Sequence, residues 1–233
     1  MRVGHVDGAG VGPYADGIQR VYTDVFSAPP WNEDPRTAAL HAGRLASDAA
    51  RTGFTAALAL DDADAVTGFA TAWTTPDAFP ADRSHGQVAA ALGPDRVAAW
   101  LCGAVQVDEP AVAPTARGTG LGARLPAAVT DAAPDGRRRL LTSVHAKATP
   151  GFYAQVGRHR LPDIVPGRAG LAVLLWPRHP ARARSAPDAH PQRLRGAETV
   201  HPTTMPGACR RLRRREPGTP CAHVYEERCP TAM

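Results

Sequence analysis

Arg117-Gly118-Thr119-Gly120-Leu121-Gly122 is the run with the clearest chemistry in this 233-residue chain. It follows an apolar stretch, Leu101 to Val107, in which Leu101, Val105 and Val107 share one parity. It precedes Leu121, Leu125, Val129 and Ala132, which recur at helical spacing. The pattern predicts strand, glycine turn and helix in that order. Glycines at such a junction let the backbone approach a ligand closely and aim unpaired N–H groups at it. The helix dipole adds partial positive charge at the same point, so the natural guest is a phosphate. A Walker loop would need a lysine after its last glycine, and Ala123 stands there. The dinucleotide fingerprint needs G-x-G-x-x-G, and this run is G-x-G-x-G. A third spacing is met: arginine or glutamine, two residues, glycine, one residue, then glycine or alanine, at Arg117, Gly120 and Gly122.

The elements that must position this turn follow from the rest of the chain. Residues 2–6 read as a first strand. Tyr14 to Phe26 predicts a helix with Ile18, Val21, Tyr22, Val25 and Phe26 on one apolar face. Ser27-Ala28-Pro29-Pro30-Trp31 ends it, with Trp31 packed under the proline turn. Pro35 opens a second helix running to about Arg51, with Leu40 and Leu45 inward and His41 on the surface. Phe54–Leu60 and Val66–Trp73 predict a hairpin around the solvated turn Asp61–Ala65. A connection over residues 74–97 holds a short helix near Gln87–Leu92. Beyond the glycine-loop helix, Pro134-Asp135-Gly136 turns the chain. Leu140–Val144 predicts a strand, and Thr149–Val156 a helix that contains Phe152-Tyr153 and closes at Gly157. Residues 170–176 supply a last strand.

Charge divides the chain. Residues 1–181 carry 17 Lys+Arg and 17 Asp+Glu, so the formal +5 belongs to residues 182–233, a basic Arg/Pro-rich segment with 10 basic and 5 acidic groups. That segment lacks apolar periodicity and is expected to be disordered, because it cannot bury enough apolar area to offset its chain entropy. It has clustered arginines but little aromatic interleaving for base stacking, so nucleic acid is not expected as a partner. No apolar run reaches transmembrane length and no signal-peptide core is evident, so a cytoplasmic location off the membrane is expected. Cys102 reads as a small core residue of the strand. Cys209, Cys221 and Cys229, with His223, lie at spacings that match no zinc module, so no metal is expected.

Two linked motifs, the glycine loop and the FY helix some thirty residues beyond it, resemble the GNAT superfamily of acyl-CoA-dependent N-acyltransferases over about residues 1–181. The Pro29-Pro30-Trp31 segment also resembles a family feature near the acceptor pocket. The resemblance implies a mixed α/β fold, a mostly antiparallel central sheet with helices on both faces, as one domain over residues 1–181. It implies acetyl transfer from acetyl-CoA to a primary amine of a small molecule or peptide, by a monomer or homodimer. Backbone N–H groups of Gly118, Thr119, Gly120, Leu121 and Gly122 would hold the pyrophosphate, with Arg117 adding charge. Amides near Val112 and Ala113 would pair with pantetheine and polarise the thioester carbonyl. Tyr153 would be the general acid and Glu109 the base, with neighbouring Asp108 on the opposite face unless a bulge reverses parity. The rival readings are a catalytically impaired CoA-binding scaffold and a nucleic-acid-binding protein acting through the basic segment.

The chain departs from the family at four places. Pro110 replaces the usual leucine and is tolerable only at an edge or a bulge. Pro126 falls beyond the first turn of the glycine-loop helix, where it deletes a hydrogen bond at a cost of about 3 kcal/mol. The usual asparagine before the FY helix is missing from His145-Ala146-Lys147-Ala148, and Arg158 stands where an aromatic usually follows Gly157.

Overall fold

Seven strands hydrogen-bond in the order β1-β2-β3-β4-β5-β7-β6, every neighbouring pair antiparallel except β4–β5. They come from a computed structural model that describes residues 1–82, 84–131, 133, 136–144, 146, 148–161 and 170–184. The expectation of a disordered segment from residue 182 lies outside these, apart from its first residues. The strands are β1 (Arg2–Asp7), β2 (Thr55–Leu60), β3 (Val66–Thr74), β4 (Val105–Val112), β5 (Arg138–Ser143), β6 (His159–Arg160) and β7 (Leu171–Leu175). The helices are α1 (Ala15–Phe26), α2 (Pro35–Ala49), α3 (His85–Leu92), the single turn α4 (Pro94–Arg96), α5 (Leu121–Ala128), α6 (Ala148–Gln155) and α7 (Ala181–Arg184). The parallel β4–β5 pair needs a crossover, and α5 supplies it. The mixed sheet with helices on both faces is the predicted architecture. Among the described residues no helix is long and apolar enough to cross a membrane.

The two faces have separate cores. Ile18, Val21, Tyr22 and Phe26 of α1 and Leu45 of α2 pack on Leu58, Leu60, Phe69, Trp73 and Ala111. Opposite them, Leu121, Leu125 and Val129 pack with Tyr153 on Ala57, Ala59, Ala70, Ala72, Val107 and Leu140. Burying each leucine-sized side chain contributes about 1.5–3 kcal/mol. Those contacts hold α5 to the sheet despite Pro126.

Several expectations need correction. On α2 the buried stripe is Ala38, His41, Leu45 and Asp48, a 3-4-3 spacing that rotates Leu40 outward to 65% exposure. His41 is not a surface histidine. It is 2% exposed, stacks on Tyr22 at 3.8 Å, and places Nδ1 3.1 Å from Gln19 Oε1. Leu101 and Cys102 are not in β4. Val97–Leu101 forms a π-helical turn, and Gly103, at φ +71°, reverses the chain before β4 starts at Val105. The α5 helix stops at Ala128, short of the predicted Ala132.

Pro126 lies buried inside α5, and two residues later the helix ends. Thr130 Oγ1 donates to the Pro126 carbonyl at 2.8 Å, closing the last turn with a side chain. Replacing Pro126 by alanine restores a donor to the Gly122 carbonyl and should raise Tm by several degrees in a calorimetric scan, given roughly 2–4 °C per kcal/mol for a domain of this size. An unchanged Tm would mean that the surrounding packing already absorbs the kink.

Candidate active site

β4 and β5 are paired at three positions: Val105–Arg138, Gln106–Arg139 and Val107–Leu140. Beyond Val107 and Leu140 the two strands continue, to Val112 and Ser143, with no pairing between them. The cause lies on the other side of β4. Ala70 faces Pro110 but Ala72 faces Val107, so three steps of β4 match two of β3, which is a β-bulge. Thr71 Oγ1 accepts the displaced Glu109 N–H at 3.3 Å. A bulged strand bends and twists, and here it turns away from β5.

The bulge explains Pro110. Ala113 N–H donates to the Thr67 carbonyl at 2.9 Å, so this facing pair is the hydrogen-bonded kind. Alternation along an antiparallel ladder makes Gly68–Val112 and Ala70–Pro110 the other kind, whose N–H positions point away from β3. The donor that Pro110 lacks would have faced the gap, so no β3–β4 bond is lost. The same logic separates the two amides expected to meet a ligand. Val112 N–H faces the gap, whereas Ala113 N–H is engaged by Thr67.

The glycine turn stands at the end of β4. A single 3₁₀ turn, Pro114–Ala116, leads into it, and Thr119 Oγ1 ties back to the Ala116 carbonyl at 2.7 Å. Gly118 and Gly120 have φ +79° and +80°, a conformation that side chains resist, and nothing lies within 4 Å of where either Cβ would be. Gly120 caps α5 with no side-chain partner. Among the described residues, the N–H groups of Gly118, Thr119, Gly120, Leu121 and Gly122 meet no backbone acceptor. The turn therefore leaves its N–H groups open to solvent, and Arg117 beside them is exposed. Gly122 is different, since a Cβ there would stand 3.2 Å from Phe152 Cζ. The two sequence motifs thus touch, Phe152 of α6 lying over Gly122 of α5.

Tyr153 packs in the same cluster as Val107 and Leu140, the last β4–β5 rung, and is 5% exposed. Burial pushes its phenol well above the ordinary tyrosine range, with Arg158 offsetting part of the effect, so it stays protonated. Glu109 lies on the opposite face. Its Oε1 is 3.8 Å from Arg44 Nη2, and Arg44 Nη2 donates to Tyr22 Oη at 2.7 Å. Tyr22 in turn donates to Glu33 Oε2 at 2.8 Å. Burial first, and Glu109 next, hold the Tyr22 phenol protonated far past its usual range. Asp108 accepts from Gln106 Nε2 at 3.1 Å, and the Gln106 oxygen faces His85 Nε2 at 3.0 Å. Gln106, Asp108 and Glu109 therefore share the α1–α3 face, because the bulge reverses parity between the two acids. Arg139, fully buried below Asp108, has its guanidinium drawn down to about 9 by desolvation, which Asp108 partly offsets. The chain Glu33–Tyr22–Arg44–Glu109 was not foreseen from the sequence. A signal did exist for Gln106, a polar residue among valines on a central strand.

No protein-family model matches the chain, and no curated protein matches it. Solved structures do match its fold. One is a protein from Desulfovibrio desulfuricans assigned as an acetyltransferase of the GNAT family, with TM-score 0.52 and 20% identity over 75% of this chain and 97% of that one. Another, from Corynebacterium glutamicum ATCC 13032, is described as histone acetyltransferase HPA2 and related acetyltransferase, with TM-score 0.52 and 17% identity over 76% of this chain and 97% of that one. With its strand order, its bulged and parting β4 and the glycine turn at the head of α5, this chain has the GNAT fold.

Proposed function

We propose that the chain is an acetyl-CoA-dependent N-acyltransferase whose acceptor is a primary amine. The observation that carries this reading is the nest of N–H groups at residues 118–122, which meet no backbone acceptor among the described residues, at the end of the strand that parts from β5. The nest suits a pyrophosphate, and the gap suits an extended arm that pairs with a strand edge. In this reading Arg117 adds charge at the phosphates. Val112 N–H meets the arm or the thioester oxygen, and Ala113 contributes only position.

The chemistry then follows from the two faces. The amine nitrogen attacks the thioester carbon, the carbonyl oxygen gathers negative charge, and the C–S bond breaks as the tetrahedral centre collapses. The departing sulfur takes the phenol proton of Tyr153, and the proton shed by the amine goes to Glu109, directly or through water. Charge distribution supports this arrangement. Residues 1–110 hold 7 Lys+Arg and 14 Asp+Glu, whereas residues 111–184 hold 12 and 3. The first segment supplies β4 as far as Pro110, and the second supplies β5. A polyanionic acyl donor fits the basic side, and an amine arriving as its ammonium ion fits the side of Glu109 and Glu33. The scaffold reading keeps one specific support, the ion pair in which Arg44 engages Glu109.

The test is thioester consumption with acetyl-CoA and a panel of amines. Turnover with any amine upholds the reading; acetyl-CoA binding without turnover leaves the scaffold, and no binding removes both. Gly120→Asp should abolish acetyl-CoA binding in a calorimetric titration, since it places a side chain and a negative charge in the nest at positive φ. Tyr153→Phe should lower kcat by about 10²–10⁴ with little change in acetyl-CoA affinity. An equal rate for the two proteins across neutral pH would remove Tyr153 as the acid. For a dicationic amine, kcat/KM should fall as salt rises through about one Debye length of screening, and more steeply than for a neutral-tailed amine. Parallel salt curves would show that the acidic side does not recruit the acceptor.

A further inference from the structure

Five of the seven buried side-chain nitrogens that lack a hydrogen-bond partner among the described residues lie at or beside the ends of β5 and β6: Arg138 Nε, Arg139 Nε and Nη1, Arg158 Nε and His159 Nε2. Buried polar groups are nearly always paired, so such a concentration requires an explanation. Two of these residues share one face. Arg138 opens β5 on the α5–α6 side, and Arg158 follows Gly157 at the end of α6. Trp176, just past β7, joins them: its N–H donates to the Arg138 carbonyl at 3.1 Å, and the Arg158 guanidinium carbon lies 3.9 Å from its ring centre.

Among the described residues each guanidinium makes one hydrogen bond, to a backbone carbonyl. Arg138 Nη2 donates to Asp131 O and Arg158 Nη1 to Val156 O, each at 3.3 Å. Neither forms an ion pair among the described residues. They are near enough that Arg138 helps to depress the Arg158 guanidinium, after burial. Two half-buried cations with no paired carboxylate among the described residues repel each other, and each leaves a buried Nε–H unmet. A carboxylate brings one charge and two oxygens, enough for one arginine. A phosphate brings up to two charges and three or more oxygens, and the arginine fork matches its geometry.

We infer that Arg138 and Arg158, on the floor of Trp176, form a second anion site that takes a phosphate group and is separate from the glycine turn. The glycine turn is at the head of α5, and Asp131, which touches Arg138, lies beyond the helix's other end, about 12 Å along its eight residues. This inference stands whether or not the chain transfers acetyl groups.

The test follows the arginine Nε–H resonances of the full chain while inorganic phosphate replaces chloride at constant ionic strength. The Nε–H signals of Arg138 and Arg158, assigned by substitution, should shift together and saturate. The shift should persist in Gly120→Asp and with CoA present. The double variant Arg138→Gln with Arg158→Gln should bind phosphate at least tenfold more weakly. Absent or non-saturating shifts would overturn the site, as would shifts abolished by Gly120→Asp or by CoA, and neither result depends on the double variant folding. Single-stranded DNA separates two sources of the phosphate. Matching shifts assign a nucleic-acid backbone, and their absence assigns a free phosphate compound; either outcome upholds the site.

Discussion

One extra residue in β4 governs this structure. Because Asp108 and Glu109 share the place of one residue opposite Thr71, β4 cannot stay in register with both neighbours. It keeps β3 and releases β5 after Val107–Leu140. The release exposes strand-edge donors such as Val112 N–H without unfolding anything, since β5 is held on its other side by β7 over Arg139–Ser143. It also turns both acids toward α1–α3, so the polar groups of that face converge on the bulge. A ladder without the bulge would pair β4 and β5 throughout, and would have no room for Pro110.

The electrostatics follow the same line. On the α1–α2 side, Glu33, Tyr22, Arg44 and Glu109 form a continuous chain in which each polar group has a partner. Behind the bulge, Asp82, His85, Gln106 and Asp108 form a second chain, with His85 and Gln106 almost wholly buried. Buried hydrogen-bonded networks fix geometry, so Asp108 has a defined position beside Glu109. At the far end of the sheet, arginines outnumber their acceptors. The contrast shows two uses of polar side chains, one closed on itself and one open to a partner.

Much of this was legible in the sequence, for identifiable reasons. The glycine turn and the FY helix rest on local rules, positive φ and helical spacing, which hold whatever surrounds them. The hairpin at Asp61 rests on an equally local turn: Asp61 Oδ1 accepts from the Ala63 and Ala65 N–H groups. Properties set by contacts distant in sequence were not legible. His41 reads as a polar residue on a surface helix, yet Tyr22 and Gln19, about twenty residues away, bury it. Leu40 reads as core but sits off the stripe. Leu101 has the right parity for β4, and only the positive φ at Gly103 removes it. The difference between Val112 and Ala113 depends on which rung of a ladder is hydrogen-bonded, and no local pattern encodes that.

In the proposed function the parted strands and the glycine turn form one ligand site. An amide-resolved NMR titration with acetyl-CoA tests it most directly. The amides of Gly118, Thr119, Gly120, Leu121, Gly122 and Val112 should shift together with one saturation curve, while Ala113 N–H, bonded to Thr67, stays protected and moves little. Shifts confined to other elements, or a saturating ligand that moves the turn but leaves Val112 untouched, would show that the turn and the gap do not form one site.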